Sequence, residues 1–274
     1  MASIVAVTGA SRGIGRATAL LFAQNGYRVF ALARSEPDLH SLAREHPAIT
    51  PIRMDITDDA SRAAAVATIM RETAGYGVDV LVNNAGYGQI GAVEEVPPEA
   101  LRRQLEVNVV ALIAFTQPFL PGMRGRRHGT IVNLSSAAGL VATPFMGAYN
   151  ASKFALEALS DALRRELSPF GVRVVLIEPG PIKTDFGRVT EQFATVSPDS
   201  PYAPRYRRYQ GTHHSVGLFG RSAGAVAHVI LRAVSSPHPR PRYPVTLPAR
   251  LAGLAHVLPA RLVDWGMSLA MGLH

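Results

Sequence analysis

The first 24 residues constrain the fold most strongly, because a short apolar run leads through a glycine-rich turn into an amphipathic segment. Residues 3–8 (SIVAVT) are apolar and β-branched, which predicts a buried strand. Gly9-Ala-Ser-Arg-Gly-Ile-Gly15 follows, and a helix is predicted to about Gln24. Glycines let the backbone approach a pyrophosphate, and a helix N-terminus favours an anion. This order predicts dinucleotide binding, with a glycine-rich turn that holds no ligand as the alternative.

Further apolar runs alternate with helical patterns over most of the chain. Strands are predicted at 28–33, 49–54, 79–82, 130–134, 172–177 and 242–246. Helices are predicted from Asp58 to about Thr73, from Pro98 to about Leu120, from Tyr149 to about Ser168 and from Ser222 to about Val234. With 274 residues, 47% of them hydrophobic, the chain is expected to form one α/β domain. Its predicted parts are a core over 1–247, a lid insertion at about 186–219 and a helical tail over 248–274.

Tyr149 and Lys153 are four residues apart, so a helix would place them on one face. At an effective dielectric constant of about 20, an ammonium about 4 Å from a phenolate contributes roughly 4 kcal/mol, which would lower the tyrosine pKa from about 10 toward neutrality. Ser136 follows the apolar run 130–134, so its hydroxyl is expected at the ligand-binding edge of the sheet. These three groups predict acid and base chemistry at one substrate oxygen. The alternative is a packed tyrosine beside a solvated lysine.

The end of the second predicted strand bears on cofactor choice. It reads Ala33-Arg34-Ser35, where an NAD site commonly carries a carboxylate for the ribose hydroxyl. Arg34 and Arg12 could clamp a 2′-phosphate, because guanidinium groups suit bidentate phosphate contacts. NADP(H) is therefore the expected cofactor, and NAD(H) stays possible because Glu36 is close in sequence. Two solvated surface arginines are the alternative.

Other strand ends supply further candidate contacts. Asp55 is expected near the adenine amine, and Asn83 either contacts the nucleotide or supports the sheet. Buried Asn108 should tie elements together or hold a water beside Lys153. The loop 179–184 (PGPIKT) is expected to meet the nicotinamide, with an ordinary connecting loop as the alternative. The complete set of expected cofactor contacts is Gly9, Ser11, Arg12, Gly13, Ile14, Gly15, Arg34, Asp55, Ile56, Asn83, Ala85, Gly86, Tyr149, Lys153, Pro179, Gly180, Ile182 and Thr184.

Composition limits the partners and the compartment. The net charge is +8, but the basic residues are almost all arginine and are scattered without a nucleic-acid motif, so no nucleic-acid partner is expected. The chain has no cysteine, which excludes a thiolate site. His213 and His214 lack partners at metal-ligand spacing, so we expect surface residues and no metal site. Neither a leader nor an uninterrupted apolar run of membrane-spanning length is recognised, and a cytoplasmic protein is expected.

The predicted lid and tail carry large apolar side chains. An insertion of this length is usually a lid or disordered, and its aromatic residues predict a bulky apolar substrate: Phe186, Phe193, Tyr202, Tyr206, Tyr209 and Phe219. The tail is expected to form two short amphipathic helices broken at Pro259. Their apolar stripes are Leu251, Leu254 and Leu258, followed by Leu262, Trp265 and Leu269. Packing on the domain or on a partner subunit, a pocket wall and a membrane-surface contact all remain open for these stripes.

Taken together, the motifs resemble those of the short-chain dehydrogenase/reductase family over residues 1 to about 247. The resemblance rests on TGASRGIG (8–15), NNAG (83–86), Asn108, Ser136 with YNASK (149–153) and PGPIKT (179–184). It implies a Rossmann-type, doubly wound parallel sheet of about seven strands in the order 3-2-1-4-5-6-7, flanked by helices. The lid and tail look more like the hydroxysteroid and retinol dehydrogenase branch.

The resemblance also implies roles and a reaction. Ser136 would bind the substrate oxygen, Tyr149 would be the acid and base, Lys153 would hold the ribose and lower the tyrosine pKa, and Asn108 would relay protons through water. Hydride would pass between the nicotinamide and a carbonyl or secondary alcohol, in a homodimer or homotetramer. The alternatives are a same-fold epimerase or lyase, or a nucleotide-sensing protein without turnover.

Overall fold

A parallel β-sheet forms the centre of the protein, in a computed structural model that describes residues 2–218 and 220–270. The strands of this sheet are β1 (Ile4–Thr8), β2 (Arg28–Ala33), β3 (Ile49–Arg53), β4 (Val80–Asn83), β5 (Gly129–Leu134), β6 (Val172–Glu178) and β9 (Arg242–Pro244). Two further short strands, β7 (Ile182–Lys183) and β8 (Arg221–Ser222), pair with each other. The order β3-β2-β1-β4-β5-β6-β9, with parallel neighbours throughout, confirms the predicted fold class and strand order.

Helices cover both faces of the sheet. They are α1 (Gly13–Gln24), α2 (Glu36–Glu45), α3 (Asp59–Glu72), α4 (Pro98–Leu105), α5 (Ala111–Thr116), α6 (Leu120–Arg126), α7 (Gly147–Leu167), α8 (Phe186–Glu191), α9 (Ala203–Leu218), α10 (Ala223–Ser235), α11 (Leu247–Ala252) and α12 (Ala260–Ala270). The Asp58 carboxylate accepts from Ser61 N at 2.6 Å and the Ser222 hydroxyl from Ala225 N at 3.2 Å, so the two predicted N-caps are confirmed. Helix α2 is absent from the sequence-based expectations.

Two apolar cores result, because alternate side chains of each strand point to opposite faces. Val5 and Val7 of β1 pack with Phe22 of α1 and Ile230 of α10 on one face. Ala6 of the same strand belongs to the opposite core, which α3, α5 and α7 cover. This burial on both faces explains why the strands are nearly continuous apolar runs.

The predicted helix from Pro98 to about Leu120 is longer and less regular than expected. It extends to Arg126, and residues Glu106–Val110 form a π-helical turn between α4 and α5. By length and mean hydropathy, 1.3, Pro98–Arg126 is long and apolar enough to cross a membrane, but Arg102, Arg103 and Glu106 interrupt it, so it is not an uninterrupted apolar run. Leu112 and Phe115 are nevertheless buried in the protein, as in a core helix.

The insertion at 186–219, for which the sequence predicts a lid or a disordered segment, contains two helices. Helix α8 begins it, α9 fills its second half, and strands β7 and β8 pair across its base. Helices therefore make up most of the described part of the insertion, 186–218. These helices are supported because the aromatic side chains of the insertion pack against the domain. Phe219 and the side chains of His213 and His214 lie outside the described residues.

The tail forms the two short helices that were predicted, α11 and α12. Helix α11 is capped by the Thr246 hydroxyl, which accepts from Ala249 N at 3.3 Å, and it packs beside the turn Ala137–Gly139. Helix α12 begins immediately after Pro259, the predicted break. The tail therefore starts next to the carboxyl edge of the sheet.

Candidate active site

The carboxyl ends of the parallel strands bring the predicted site residues to one edge of the sheet. Ser136 follows β5, the loop 179–184 follows β6, and the glycine turn follows β1. Helix α7 crosses this edge and carries Tyr149 and Lys153 in its first two turns. The topology thus places residues that are far apart in sequence around one crevice.

Ser136 and Tyr149 are in contact at the centre of this crevice. The Ser136 hydroxyl hydrogen-bonds to the Tyr149 phenol, accepts from Ala138 N at 3.1 Å and lies 3.4 Å from the Pro179 carbonyl oxygen. Tyr149 is only 7% exposed. A single substrate oxygen could therefore meet both hydroxyl groups, as the predicted roles require.

Lys153 lies one helical turn beyond Tyr149, as its spacing predicts. Its Nζ is 5.7 Å from the centroid of the Tyr149 ring and donates to the Leu134 carbonyl oxygen at 2.6 Å. Lys153 is itself buried. The ammonium is therefore held beneath the phenol by the end of β5.

The sequence predicts that Lys153 lowers the pKa of Tyr149, but in the structure the pKa of Tyr149 is raised. Burial raises the pKa of Tyr149 to about 12, and the hydrogen bond with Ser136 lowers it only in part. Burial also lowers the pKa of Lys153 to about 8, while the nearby Glu157 carboxylate opposes that change. The prediction from charge and distance alone is wrong here because it left out the cost of burying a phenolate, which is larger in this site.

Asn108 joins the loop that follows β4 to helix α7 from inside the π-helical turn. Its Nδ2 donates to the Tyr87 carbonyl oxygen and to Ser152 Oγ, each at 3.0 Å, and its Oδ1 accepts from Tyr87 N at 3.1 Å. Asn108 is fully buried. These bonds favour the structural tie among its predicted roles, and the water relay stays a prediction.

The glycine turn has the features that a phosphate group needs. Helix α1 has no side-chain cap at its N-terminus, where Arg12 occupies the N-cap position. A Cβ on Gly15 would come within 2.3 Å of the Gly9 carbonyl oxygen, and Gly9 and Gly13 have positive φ angles of 66° and 55°. Ile14, by contrast, packs partly into the core. Only glycine fits these positions, and the backbone N–H groups of the first turn remain available for an anion.

The predicted ribose and adenine contacts lie at the ends of β2 and β3. Arg34 and Arg12 are both exposed, and the Arg34 charge acts on Asp55. Burial raises the pKa of Asp55, but two hydrogen bonds from Thr57 and the Arg34 charge leave it below its ordinary value. Ile56 is 7% exposed in the core, which leaves its backbone N–H for the predicted contact.

Residues 83–86 pack against the glycine turn. The Asn83 amide donates to Thr116 Oγ1 and Asn133 Oδ1, each at 2.9 Å inside the sheet, which favours structural support over a direct cofactor contact. Asn84 Nδ2 donates to the Thr8 carbonyl oxygen at 2.9 Å, and Ala85 N donates to Thr8 Oγ1 at 3.0 Å. Gly86 is exposed. Ala85 and Gly86 could thus contact the cofactor only through backbone atoms.

The loop 179–184 closes the crevice from the other side. The Pro179 carbonyl oxygen accepts from Ala137 N at 2.8 Å, and a Cβ on Gly180 would lie 2.1 Å from Thr246 Oγ1. A Cβ on Gly13 would lie 3.6 Å from Thr184 Cγ2, so this loop reaches the glycine turn. The two predicted cofactor loops therefore face each other, and the predicted contact residue Ser11 lies in the glycine turn.

Aromatic side chains of the lid pack near Tyr149, and one of them, Phe186, contacts its ring. The Phe186 and Tyr149 rings have centroids 5.7 Å apart, and Phe193 lies 4.6 Å from Tyr87. A third apolar cluster joins the lid to the residues before α7: Ile90, Ala92, Phe145, Met146, Tyr149, Tyr206 and Tyr209. The lid thus forms an apolar wall on the substrate side.

Several site residues have no recognisable sequence signal of their own. Tyr87 and Ser152 hold Asn108, and Arg242 of β9 contacts the buried Glu157 carboxylate at 3.1 Å. Phe145 has a positive φ of 64°, which is rare for a large side chain. Only the position of Ser152 inside YNASK could have drawn attention to one of them. Among the described residues, no group of three or more potential metal ligands occurs.

The chain belongs to the short-chain dehydrogenase family. The family model described as short chain dehydrogenase matches residues 3–194. The glycine turn, the Ser136 and Tyr149 pair and strands β1 to β6 of the parallel sheet all fall inside that match. This confirms the resemblance inferred from the motifs.

Individual relatives agree with this assignment. The chain is 36% identical over 265 residues to "NADPH-dependent 3-dehydrocapnine reductase" of Ornithobacterium rhinotracheale, covering 94% of this chain and 93% of that protein. It is 36% identical over 256 residues to human "17-beta-hydroxysteroid dehydrogenase type 1", covering 88% and 76% respectively. A solved short-chain dehydrogenase from Streptomyces avermitilis superposes with a TM-score of 0.83 at 32% identity, covering 97% and 96%. The human relative supports the hydroxysteroid-like branch.

Proposed function

We propose that this protein is an NADP(H)-dependent oxidoreductase that interconverts a carbonyl and a secondary alcohol. The observation that carries the proposal is the contact between Ser136 and Tyr149 beside buried Lys153, at the sheet edge that also holds the uncapped glycine turn. The name of the Ornithobacterium relative includes an NADPH-dependent reductase activity, which agrees with the two exposed arginines, Arg12 and Arg34.

The residues would divide the chemistry as follows. The first-turn N–H groups of α1 would bind the pyrophosphate, Arg12 and Arg34 the 2′-phosphate, and Lys153 the ribose. The bound cofactor supplies a hydride to the carbonyl carbon or accepts one from the alcohol carbon. Ser136 would donate a hydrogen bond to the carbonyl oxygen, and Tyr149 would deliver the proton to that oxygen as the alcohol forms.

The protonation state of Tyr149 is the one that proton donation in carbonyl reduction requires. Since burial raises its pKa to about 12, the phenol carries its proton at neutral pH and is ready to donate it. Lys153, whose pKa burial lowers to about 8, still carries its charge in most molecules at pH 7. Alcohol oxidation requires the opposite state, a phenolate, which this environment disfavours.

Tyr149→Phe tests the assignment because it removes only the proton donor. We expect turnover of any accepted carbonyl to fall by about 100-fold or more, while NADPH binding stays within about twofold. Tyr27→Phe is the matched control, because Tyr27 packs against Phe22 away from the crevice. The measurements are loss of NADPH absorbance and a cofactor titration. Near-normal turnover in Tyr149→Phe would overturn the proposal, and cofactor binding without any turnover by the unaltered chain would favour a nucleotide sensor.

We further propose a bulky apolar substrate, because the lid presents aromatic side chains to Tyr149. Phe186→Ala should lower kcat/KM for a large apolar ketone by about tenfold and leave a small ketone within about twofold, since only the large one would lose apolar contact. A preference of the unaltered chain for small polar carbonyls would contradict this proposal. An epimerase or lyase would give product without net NADPH consumption.

A homo-oligomer is also proposed. Leu101, Val110 and Leu159, on neighbouring helical elements, are 38%, 54% and 41% exposed, and such an apolar patch suits a subunit contact. Sedimentation of the full chain tests it, and a monomer at micromolar concentration would contradict it.

A further inference from the structure

The tail leaves an unusual amount of apolar surface uncovered. We call this set the tail surface, and its members are Leu247, Leu251, Leu254, Val257, Leu258, Leu262, Trp265 and Leu269. Each is between 49% and 77% exposed. The sequence left open whether these stripes pack on the domain. In the structure, most of the surface area of these side chains is not covered by the rest of the protein.

Helix α11 fixes one end of the tail surface to the protein. Ala249 is 1% exposed beneath the helix, and the Thr246 cap holds the first turn. Leu247 and Leu251 therefore point outward because the opposite side of α11 is anchored. In α12, Leu262, Trp265 and Leu269 follow helical spacing and form one exposed stripe.

Positive charge is concentrated in the same part of the chain. Residues 192–270 contain nine arginines against the two aspartates Asp199 and Asp264, which accounts for +7 of the net charge of +8. The earlier residues are close to neutral by comparison. The lid and the tail thus carry most of the net positive charge of the sequence, and we call residues 192–270 the basic region, although one of its arginines, Arg242, is paired with Glu157 and Asp161.

Two of these arginines border the tail surface directly. Arg221 and Arg250 line one cleft of about 420 Å³, together with Leu247 and Pro248. Arg221 donates to the Val245 carbonyl oxygen at 3.2 Å, which holds its guanidinium beside that cleft. Apolar side chains next to arginines match a bilayer surface, where acyl chains lie beneath anionic head groups.

We propose that the tail surface docks on the surface of an anionic lipid bilayer. A second copy of the chain is a poorer occupant, because a symmetric contact would bring the basic regions together with only Asp264 in the tail to compensate. The tail lies on the bilayer rather than spanning it. Helix α12 has 11 residues and is about 16 Å long, roughly half of the apolar thickness of a membrane.

The docked face lies beside the candidate active site. Helix α11 packs against the turn Ala137–Gly139 that follows Ser136, and Pro181 of the cofactor loop lines the same cleft as Arg221 and Arg250. Docking would therefore bring the crevice close to the membrane. If the proposed apolar substrate is correct, it could reach the crevice from the bilayer; the docking itself does not depend on that proposal.

Flotation of the full chain with vesicles tests the docking. We expect binding to vesicles of phosphatidylcholine with phosphatidylserine, and at least about tenfold weaker binding to phosphatidylcholine alone. Leu251→Glu with Leu262→Glu should weaken binding to the anionic vesicles by about tenfold or more, because each change places a carboxylate in the apolar contact. Arg221→Gln with Arg250→Gln should weaken it by about fivefold for each arginine and reduce its salt dependence.

Phe170→Glu is the matched control, because Phe170 is also exposed but follows α7 at the far end of the sheet. It should bind vesicles like the unaltered chain, and all variants should keep their turnover of a water-soluble carbonyl. Absence of binding to anionic vesicles, or equal binding by the leucine variant, would overturn the proposal. A change in sedimentation mass of that variant without a change in vesicle binding would instead assign the tail surface to a contact between copies. Binding is measured without substrate, so its failure is separate from failure of the proposed activity.

Discussion

Glu178 is a buried carboxyl group at the end of β6, and replacing it with glutamine should stabilise the protein much more at pH 8 than at pH 5. Glu178 is 2% exposed. Arg242 Nε lies 3.3 Å from Glu178 Oε1, but it donates its hydrogen to Glu157 Oε2 at 3.1 Å. Among the described residues, no hydrogen bond reaches Glu178 Oε1. The ionised form of Glu178 is therefore poorly compensated.

The magnitude follows from the pKa of this group. Burial and the Glu157 charge raise the pKa of Glu178 from 4.5 to about 7, although Arg242 opposes the change. Below pH 4.5 both folded and unfolded chains carry the proton and the group costs nothing. Between 4.5 and about 7 the folded chain binds more protons, so stability falls as pH rises. At 1.36 kcal/mol for each pKa unit, the full cost at pH 8 is about 3 kcal/mol.

Glu178→Gln keeps the shape of the protonated group and removes this cost. Urea unfolding at pH 5, 6, 7 and 8 should show a gain in the free energy of unfolding that grows from about 0.8 kcal/mol to about 3 kcal/mol. Glu166→Gln, the same change at an exposed position of α7, should stay within about 0.5 kcal/mol throughout. If Glu178→Gln is less stable than the unaltered chain at pH 8, the ionised carboxylate stabilises the fold through Arg242 and the reasoning is refuted.

Two further changes test the cofactor crevice. Ala33→Asp with Arg34→Ala should shift the preference from NADPH toward NADH by at least about tenfold, since one charge-assisted contact contributes roughly 1.5 to 3 kcal/mol. Equal titration midpoints for both cofactors in the unaltered chain would contradict the proposed contact of Arg12 and Arg34 with the 2′-phosphate. Gly15→Ala places a Cβ 2.3 Å from the Gly9 carbonyl oxygen, so cofactor affinity should fall by about tenfold or more. Gly187→Ala is the control: a Cβ there meets nothing within 4 Å, so cofactor affinity should stay unchanged. Calorimetric titration with NADPH measures both effects.

Local sequence determined the sheet and the order of its motifs. All seven strands of the main sheet fall within two residues of the predicted runs, because strands buried on both faces must be continuously apolar. The sequence also predicted the glycine turn, the spacing of Tyr149 and Lys153 on one helix, and the position of Ser136 after β5. Each depends on residues that are neighbours in the chain.

Backbone irregularity was decided by tertiary contacts. No pattern in residues 105–112 (LEVNVVAL) predicts the π-helical turn that carries Asn108. The hydrogen-bond partners of Asn108, Tyr87 and Ser152, are 21 and 44 residues away in the sequence. The lid helices likewise depend on packing with Phe145 and Tyr149. The predicted contacts of the remaining cofactor residues stay predictions.

Electrostatics and exposure also needed the folded chain. The Tyr149 pKa depends on how deeply the phenol is buried, and spacing along a helix carries no information about burial. Arg242 and Glu157 are 85 residues apart and meet only because β9 adds to the sheet beside β6. The tail stripes were visible in the sequence, but only the fold showed them to be exposed. Periodicity tells which side chains share a face, whereas the rest of the chain decides whether that face is covered.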